Sequence, residues 1–137
     1  MWQLFLIALF AGKPEPYIGS LPPGGSIVDG IAFGPRLTLT CSWFSNFENS
    51  RFNQCRGPTG NLLPADEAAS LKCVGRTCDQ LDEEARRVSH GQKSEAPSGV
   101  FTVRLVGRVG LHARPKQYIG DGTRTVLVER IVSVEKK

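Results

Sequence analysis

The fold is decided by residues 37–43, which read Leu-Thr-Leu-Thr-Cys-Ser-Trp. In an extended chain the two leucines, Cys41 and Trp43 point to one side, whereas the two threonines and Ser42 point to the other. One apolar and one polar face are typical of a β-strand that covers a core on one side only. The segment therefore predicts a half-buried strand whose aromatic end, Trp43, lies in the core.

Two later segments, 99–111 and 125–134, show the same alternation, which predicts two further long strands. Gly107 interrupts the first of them, and a glycine inside a strand indicates a bulge or a bend. Residues 44–55 predict either a bent continuation of the first strand or a returning strand. The side chains expected to point into the core from the two later segments are Phe101, Val103, Leu105, Val109, Leu111, Val126, Val128, Val132 and Val134.

Two segments between the early and late strands have helical composition. Residues 65–72 follow a proline and carry two acids near their start, which suits the first turn of a helix. A second helix is predicted from Thr77 to Gly91, because Thr77 and Gln80 have the spacing of a capping box and Gly91 is suited to end it. Its buried stripe is expected to consist of Cys78, Leu81, Ala85 and Val88.

The chain divides into three parts. Residues 1–12 form an apolar run that predicts a signal-like leader, although it lacks the basic residues that such leaders carry. A buried N-terminal strand, or a true start further upstream, is the alternative. The run is too short for a transmembrane helix, so no stable membrane span is expected in the mature chain. Residues 13–35 are a Pro/Gly-rich linker in which 27–33 could form a short edge strand, and residues 36–137 are predicted to be one β-rich domain.

Four cysteines follow the apolar run, and this combination indicates disulfides and a periplasmic or secreted protein. Local pairing, Cys41 with Cys55 and Cys73 with Cys78, is the favoured connectivity, while two other connectivities stay open. Zinc is the alternative, but only the second pair approaches the usual ligand spacing. We therefore predict neither a metal site nor a cofactor.

The formal charge of +4 comes from 17 basic and 13 acidic residues, which are unevenly distributed. Acids dominate residues 64–85, and bases dominate the chain after Ser98. A surplus of this size favours solubility and a weak preference for anionic surfaces. The alternative is that bases spaced alternately along strands form only a solvated face.

Three stretches carry a resemblance. The segment from Trp43 to Cys55, the strand 99–108 that ends in Val-Gly-Arg, and the closing residues 118–131 resemble small bacterial exported proteins with OB-fold-like barrels. The resemblance implies a mainly β fold, either a small OB-like barrel or a bent antiparallel sheet. One or two short helices would be inserted between the early and late strands. Members of that group are mostly uncharacterised, so the resemblance implies almost nothing about chemistry.

The candidate binding residues are Phe44, Phe47, Glu48 and Arg51. If Trp43 points inward, Phe44 must point outward, and we expect it to be partly exposed beside Arg51. Exposed rings next to a guanidinium could stack on a ligand, and export makes a glycan or a peptide a better candidate than nucleic acid. The alternative is that the rings fill the core and that Glu48 makes only a surface ion pair.

The sequence contains no convincing catalytic motif, so we expect a non-enzymatic exported β-barrel domain that binds a ligand or an envelope protein. A small hydrolase using Glu48 or His112 is the alternative. A remote alternative is a phosphocarrier-like protein, because His112 and Arg114 lie in a Gly-Leu-His-Ala-Arg-Pro stretch that is similar to a phosphohistidine motif. That motif requires a long helix after the histidine, whereas residues 116–122 contain two glycines that would break one.

Overall fold

The computed structural model of the chain describes residues 19–90, 96–116 and 121–137, so the predicted leader at 1–12 lies outside the described residues. The described residues form eight strands and one helix. In chain order these are β1 (Ser26–Val28), β2 (Ile31–Phe33), β3 (Leu37–Ser45), β4 (Ser50–Gly57), β5 (Gly60–Asn61), β6 (Ala69–Cys73), α1 (Thr77–Ser89), β7 (Gly99–Val109) and β8 (Arg124–Lys136).

Five strands close into a ring. β3 pairs antiparallel with both β4 and β7, β7 pairs antiparallel with β8, β8 pairs parallel with β6, and β6 pairs antiparallel with β4. The helix connects the third and fourth strands of this ring in chain order. Five strands closed in this way form an OB-like barrel. The predicted mainly β fold is therefore confirmed.

The core fills the inside of the ring, and the alternation of residues 37–43 is confirmed. Leu39, Cys41 and Trp43 are buried, while the intervening side chains face outward. Trp43 packs against Phe101 with ring centroids 5.2 Å apart. The indole N–H donates a hydrogen bond to Ser50 Oγ at 2.9 Å, so the one polar atom of this buried ring is satisfied.

The helix predicted at residues 65–72 is wrong. Residues 65 and 66 form a turn, and the chain from Ala69 onward is strand β6. This segment lies between β4 and β8 in the ring, and backbone pairing on both sides outweighs the helical composition. Without β6 the barrel would stay open between those two strands.

The second predicted helix is confirmed as α1. Leu81 and Ala85 are buried, with Cys78 and Val88 half-buried on the same stripe. The predicted capping box is wrong, because the Thr77 hydroxyl donates instead to the carbonyl of Val128 in β8 at 3.1 Å. The helix ends at Ser89, and His90 after it adopts the left-handed conformation of a helix C-cap. Gly91, which was predicted to end the helix, lies outside the described residues.

The last two long strands pair with two irregularities. The register of β7 on β8 shifts between Arg104 and Leu105 and again between Val106 and Gly107, which confirms the predicted bulge at the glycine. A side chain at Gly107 would collide with the backbone carbonyl of Leu127. The bulges also overturn one prediction, since Val132 falls between the residues that pair with β7 and is 45% exposed rather than inward.

Both predicted disulfides are formed. Cys41 and Cys55 lie directly opposite each other in β3 and β4, and both are buried. Cys73 and Cys78 join the end of β6 to the first turn of α1. All four sulfurs are therefore in disulfide bonds, and a disulfide sulfur is not the thiolate that binds zinc. Each bridge constrains the unfolded chain and stabilises the fold by about 2–4 kcal/mol.

The strand expected within 27–33 exists as a small hairpin of β1 and β2. Phe33 forms a bridge with Gly110, which joins this hairpin to the end of β7. Arg108 fastens it further by donating to the carbonyls of Gly24 at 2.7 Å and Gly34 at 3.2 Å. The β1–β2 hairpin, at the end of the predicted linker, thus packs against the barrel.

Candidate functional site

The predicted binding residues lie at one end of the β3–β4 hairpin. Asn46 Oδ1 accepts the backbone N–H groups of Glu48 at 2.8 Å and of Asn49 at 2.7 Å, which fixes a tight turn. The turn places Phe47 at its tip, where 83% of the residue is exposed. Glu48 beside it is also exposed. We call Phe44, Phe47, Glu48 and Arg51 the hairpin-tip site.

The hairpin register brings Phe44 and Arg51 together. The two residues are direct partners in β3 and β4, and both are half-buried. The guanidinium carbon of Arg51 lies 5.3 Å from the centroid of the Phe44 ring, within the range of a cation–π contact. Arg51 also donates to Asn53 Oδ1 at 3.3 Å. The structure therefore places an oriented guanidinium and a ring edge at the surface, as the alternation predicts.

A polar groove of about 460 Å³ begins at the same arginine. It runs between β4, the turn before β6 and the connection from β7 to β8. Its polar lining includes Arg51, Asn53, Asp66, Glu67, Lys116 and Asp121. Sequence reasoning identified only Arg51 among these residues. The others come from three separate segments, which meet only because β4 and β6 are neighbours in the ring.

A second groove of about 390 Å³ continues from the first, with which it shares Lys116 and Asp121. It extends over β6 and is lined there by Ser70 and Lys72. Lys72 forms an ion pair with Asp29 at 2.7 Å, and Ser70 Oγ accepts the backbone N–H of Gly122 at 2.8 Å. The two grooves adjoin each other across β4 and β6; the first is mainly polar, and the second also has apolar lining from Ile31 and Pro115.

The charges along the grooves are mixed. Glu67 is already paired with Arg124, at 2.8 Å, and Asp29 with Lys72. Arg51 and Lys116 line the first groove together with Asp66 and Asp121, and Arg114 lines the second together with Lys116 and Asp121. A surface with both signs of charge close together suits a partner that also carries both, such as a polypeptide.

The residues required by the enzymatic alternatives are on different loops. Glu48 lies in the β3–β4 turn, His112 lies in the β7–β8 connection, and neither lines the two grooves. Residues 113–116 after the histidine are not helical, so the helix N-terminus that a phosphohistidine motif uses is not formed there. Within residues 19–90, 96–116 and 121–137, no group of three or more His, Cys, Asp or Glu side chains is arranged to hold a metal ion.

No family model matches this chain, and searches of curated proteins and of solved structures found no match either. The described part of the chain contains no helix that is long and apolar enough to cross a membrane. The fold and the two disulfides define the class of protein: an OB-like barrel that is cross-linked by disulfide bonds. The functional argument depends on the geometry of the site itself.

Proposed function

We propose that this chain is an exported, non-enzymatic domain of the cell envelope that binds a polypeptide partner at the hairpin-tip site and along the adjoining polar groove. Phe47 is the anchor of this interface, the Phe44–Arg51 pair supports it, and the groove supplies the polar rim. A central ring surrounded by hydrogen-bonding groups is the common composition of a protein–protein interface.

The observation that carries the proposal is the double role of Arg51. Its guanidinium lies over Phe44, and the same side chain lines the polar groove. The aromatic and the polar surfaces are therefore one continuous surface. A ring exposed as fully as Phe47 contributes little to folding, and it is available to bury its apolar surface against a partner.

Two further features support the proposal. In OB folds, ligands are commonly bound by the face of the second and third barrel strands and by the loops next to it, and β4, β6 and the grooves have this position here. This is an analogy between folds. The two disulfides support export, because such bonds persist in oxidising compartments.

Peptide selection tests the proposal. A phage library of random dodecapeptides is panned on the oxidised protein, and recovered sequences are synthesised and titrated against variants. Phe47→Ala and Arg51→Ala are expected to weaken binding about tenfold or more, as central interface residues do. Val74→Ala is the matched control, because Val74 is also an exposed apolar residue in a connection but lies between β6 and α1.

Peptides whose affinity falls equally with Val74→Ala and Phe47→Ala would contradict the proposal. Peptides insensitive to both changes at the hairpin-tip site would contradict it as well. Thermal unfolding of each variant separates lost binding from lost structure, and we expect all three unfolding temperatures to stay close to that of the unaltered protein.

A further inference from the structure

A second surface lies further along β3, away from the hairpin tip. Thr40 is paired with Arg56 of β4 on one side and with Arg104 of β7 on the other. All three residues are exposed on the outer face of the barrel. We call Arg56, Thr40 and Arg104 the basic row. Because neighbouring strands are about 4.8 Å apart, the Cα atoms of the two arginines are separated by about 10 Å.

A shallow groove of about 230 Å³ adjoins this row. Hydroxyl and amide groups dominate its lining, with Thr40, Ser42 and Thr102 on β3 and β7 and Gln54 on β4. Arg56 and Lys137 add positive charge at its sides. The groove thus combines cations with neutral groups that both donate and accept hydrogen bonds.

The cations of this surface are not neutralised by any side chain in the described part of the chain. Within the described residues, no ion pair or side-chain hydrogen bond is formed by Arg56, Arg104 or Lys137. Other arginines are paired, for example Arg108 and Arg124. Among the described residues next to the basic row, one carboxylate is present, that of Glu135, which pairs with Thr102 across β7 and β8. The surface therefore has a local excess of positive charge.

We propose that the basic row and its groove bind an acidic polysaccharide. The arginines would pair with carboxylate or sulfate groups of the chain, since a guanidinium forms two parallel hydrogen bonds with such groups. The threonine, serine and glutamine side chains would contact sugar hydroxyls between them. Two cations about 10 Å apart fit successive charged groups on a polymer better than one small anion.

The observations favour a glycan over the other polyanions. Single-stranded nucleic acid is held largely by stacking on exposed rings, and none of the described residues that line this groove is aromatic. An anionic membrane would meet cations on a protruding surface, whereas Arg56 and Lys137 line a depression. The inference is independent of the polypeptide partner, because it requires neither Phe47 nor the polar groove.

Calorimetric titration with defined probes tests the inference. The probe is a heparin dodecasaccharide, and the comparison probes are a thymidylate dodecamer and phosphatidylglycerol vesicles. The double variant Arg56→Gln, Arg104→Gln is expected to bind the dodecasaccharide about tenfold more weakly. The matched control is Arg76→Gln, Arg87→Gln, which removes the same charge from exposed positions at α1 and is expected to change affinity less than about twofold.

A third variant, Thr40→Val, keeps the charge and removes one hydroxyl, and we expect a smaller loss of about threefold. Equal weakening by the two arginine pairs would show that net charge alone drives binding, which overturns the proposal. Absence of dodecasaccharide binding overturns it too. Tighter binding of the thymidylate or of the vesicles, lost with Arg56→Gln, Arg104→Gln, would assign the surface to nucleic acid or to lipid instead.

Discussion

In the barrel part of β3, Leu39, Cys41 and Trp43 are all buried, and each contacts the core from the inner face. At the end of the same strand, Phe44 is only half-buried, and the ring of Phe47 beyond it is 83% exposed. The first group explains why the hairpin folds. The second group gains little from folding, so its apolar surface is open to the contact with another molecule that we propose.

Trp43→Ala is expected to give the largest effect. The change empties space beside Phe101 and leaves the Ser50 hydroxyl without its indole partner, so the free energy of unfolding should fall by about 3–5 kcal/mol. Urea denaturation followed by circular dichroism measures it. Phe44→Ala, one residue further along β3, is the control. A similar loss of stability from both changes would contradict the distinction between the buried part of β3 and its end at the hairpin tip.

Leu81→Ala extends the comparison to the helix. Leu81 is buried against the core, so its truncation should cost about 2–4 kcal/mol, whereas Glu83→Ala, on the exposed face of α1, should be close to neutral. The same denaturation experiment compares them. Equal effects would mean that the helix packs through a different face.

Much of this architecture follows from the sequence. The period-two alternation in β3 and β7 and the stripe on α1 were sufficient to predict these three elements, because burial selects apolar residues at a fixed spacing. Strand β6 was missed because its pairing depends on two strands that are distant in the chain. Val132 was misplaced because a bulge in β8 changes which side chains face inward, and a bulge depends on the register with β7.

The candidate site was predictable only in part. Phe44, Phe47 and Arg51 are close in sequence, and alternation turns Phe44 outward. The tight turn at Asn46 that pairs Phe44 with Arg51 was not predicted. The polar groove was not foreseen, since Asp66, Lys116 and their neighbours meet only after the ring closes. The two glycines within residues 116–122 indicated a break in any helix, but composition alone does not show which strands this segment adjoins.

Acid denaturation tests a carboxylate that has a structural role away from the hairpin tip. Hydrogen bonds from Arg36 hold the pKa of Glu129 below its ordinary value, with burial acting in the opposite direction. Its ionised form therefore favours folding above the ordinary carboxyl pKa, and this contribution disappears as the pH falls through the lowered pKa. Glu129→Gln should lower stability at neutral pH by less than about 1 kcal/mol and flatten the acid limb.

Asp82→Asn is expected to change stability at neutral pH in the opposite direction to Glu129→Gln. Burial is the main cause that raises the pKa of Asp82, so its ionised form opposes folding above that raised pKa. The asparagine variant should be slightly more stable than the unaltered protein at neutral pH. Unfolding free energies measured from pH 3 to pH 8 compare the two variants, and a change of the same sign at neutral pH would contradict the assigned causes.

Phe44→Ala tests the central claim most directly when stability and binding are measured on the same sample. The ring is half-buried and lies under Arg51, so its loss should reduce the free energy of unfolding by no more than about 1 kcal/mol. Affinity for the selected peptides should fall about tenfold, because the ring supports the guanidinium that joins the hairpin tip to the groove. Unchanged peptide affinity together with a loss of several kcal/mol in stability would show that Phe44 belongs to the core and not to a binding site.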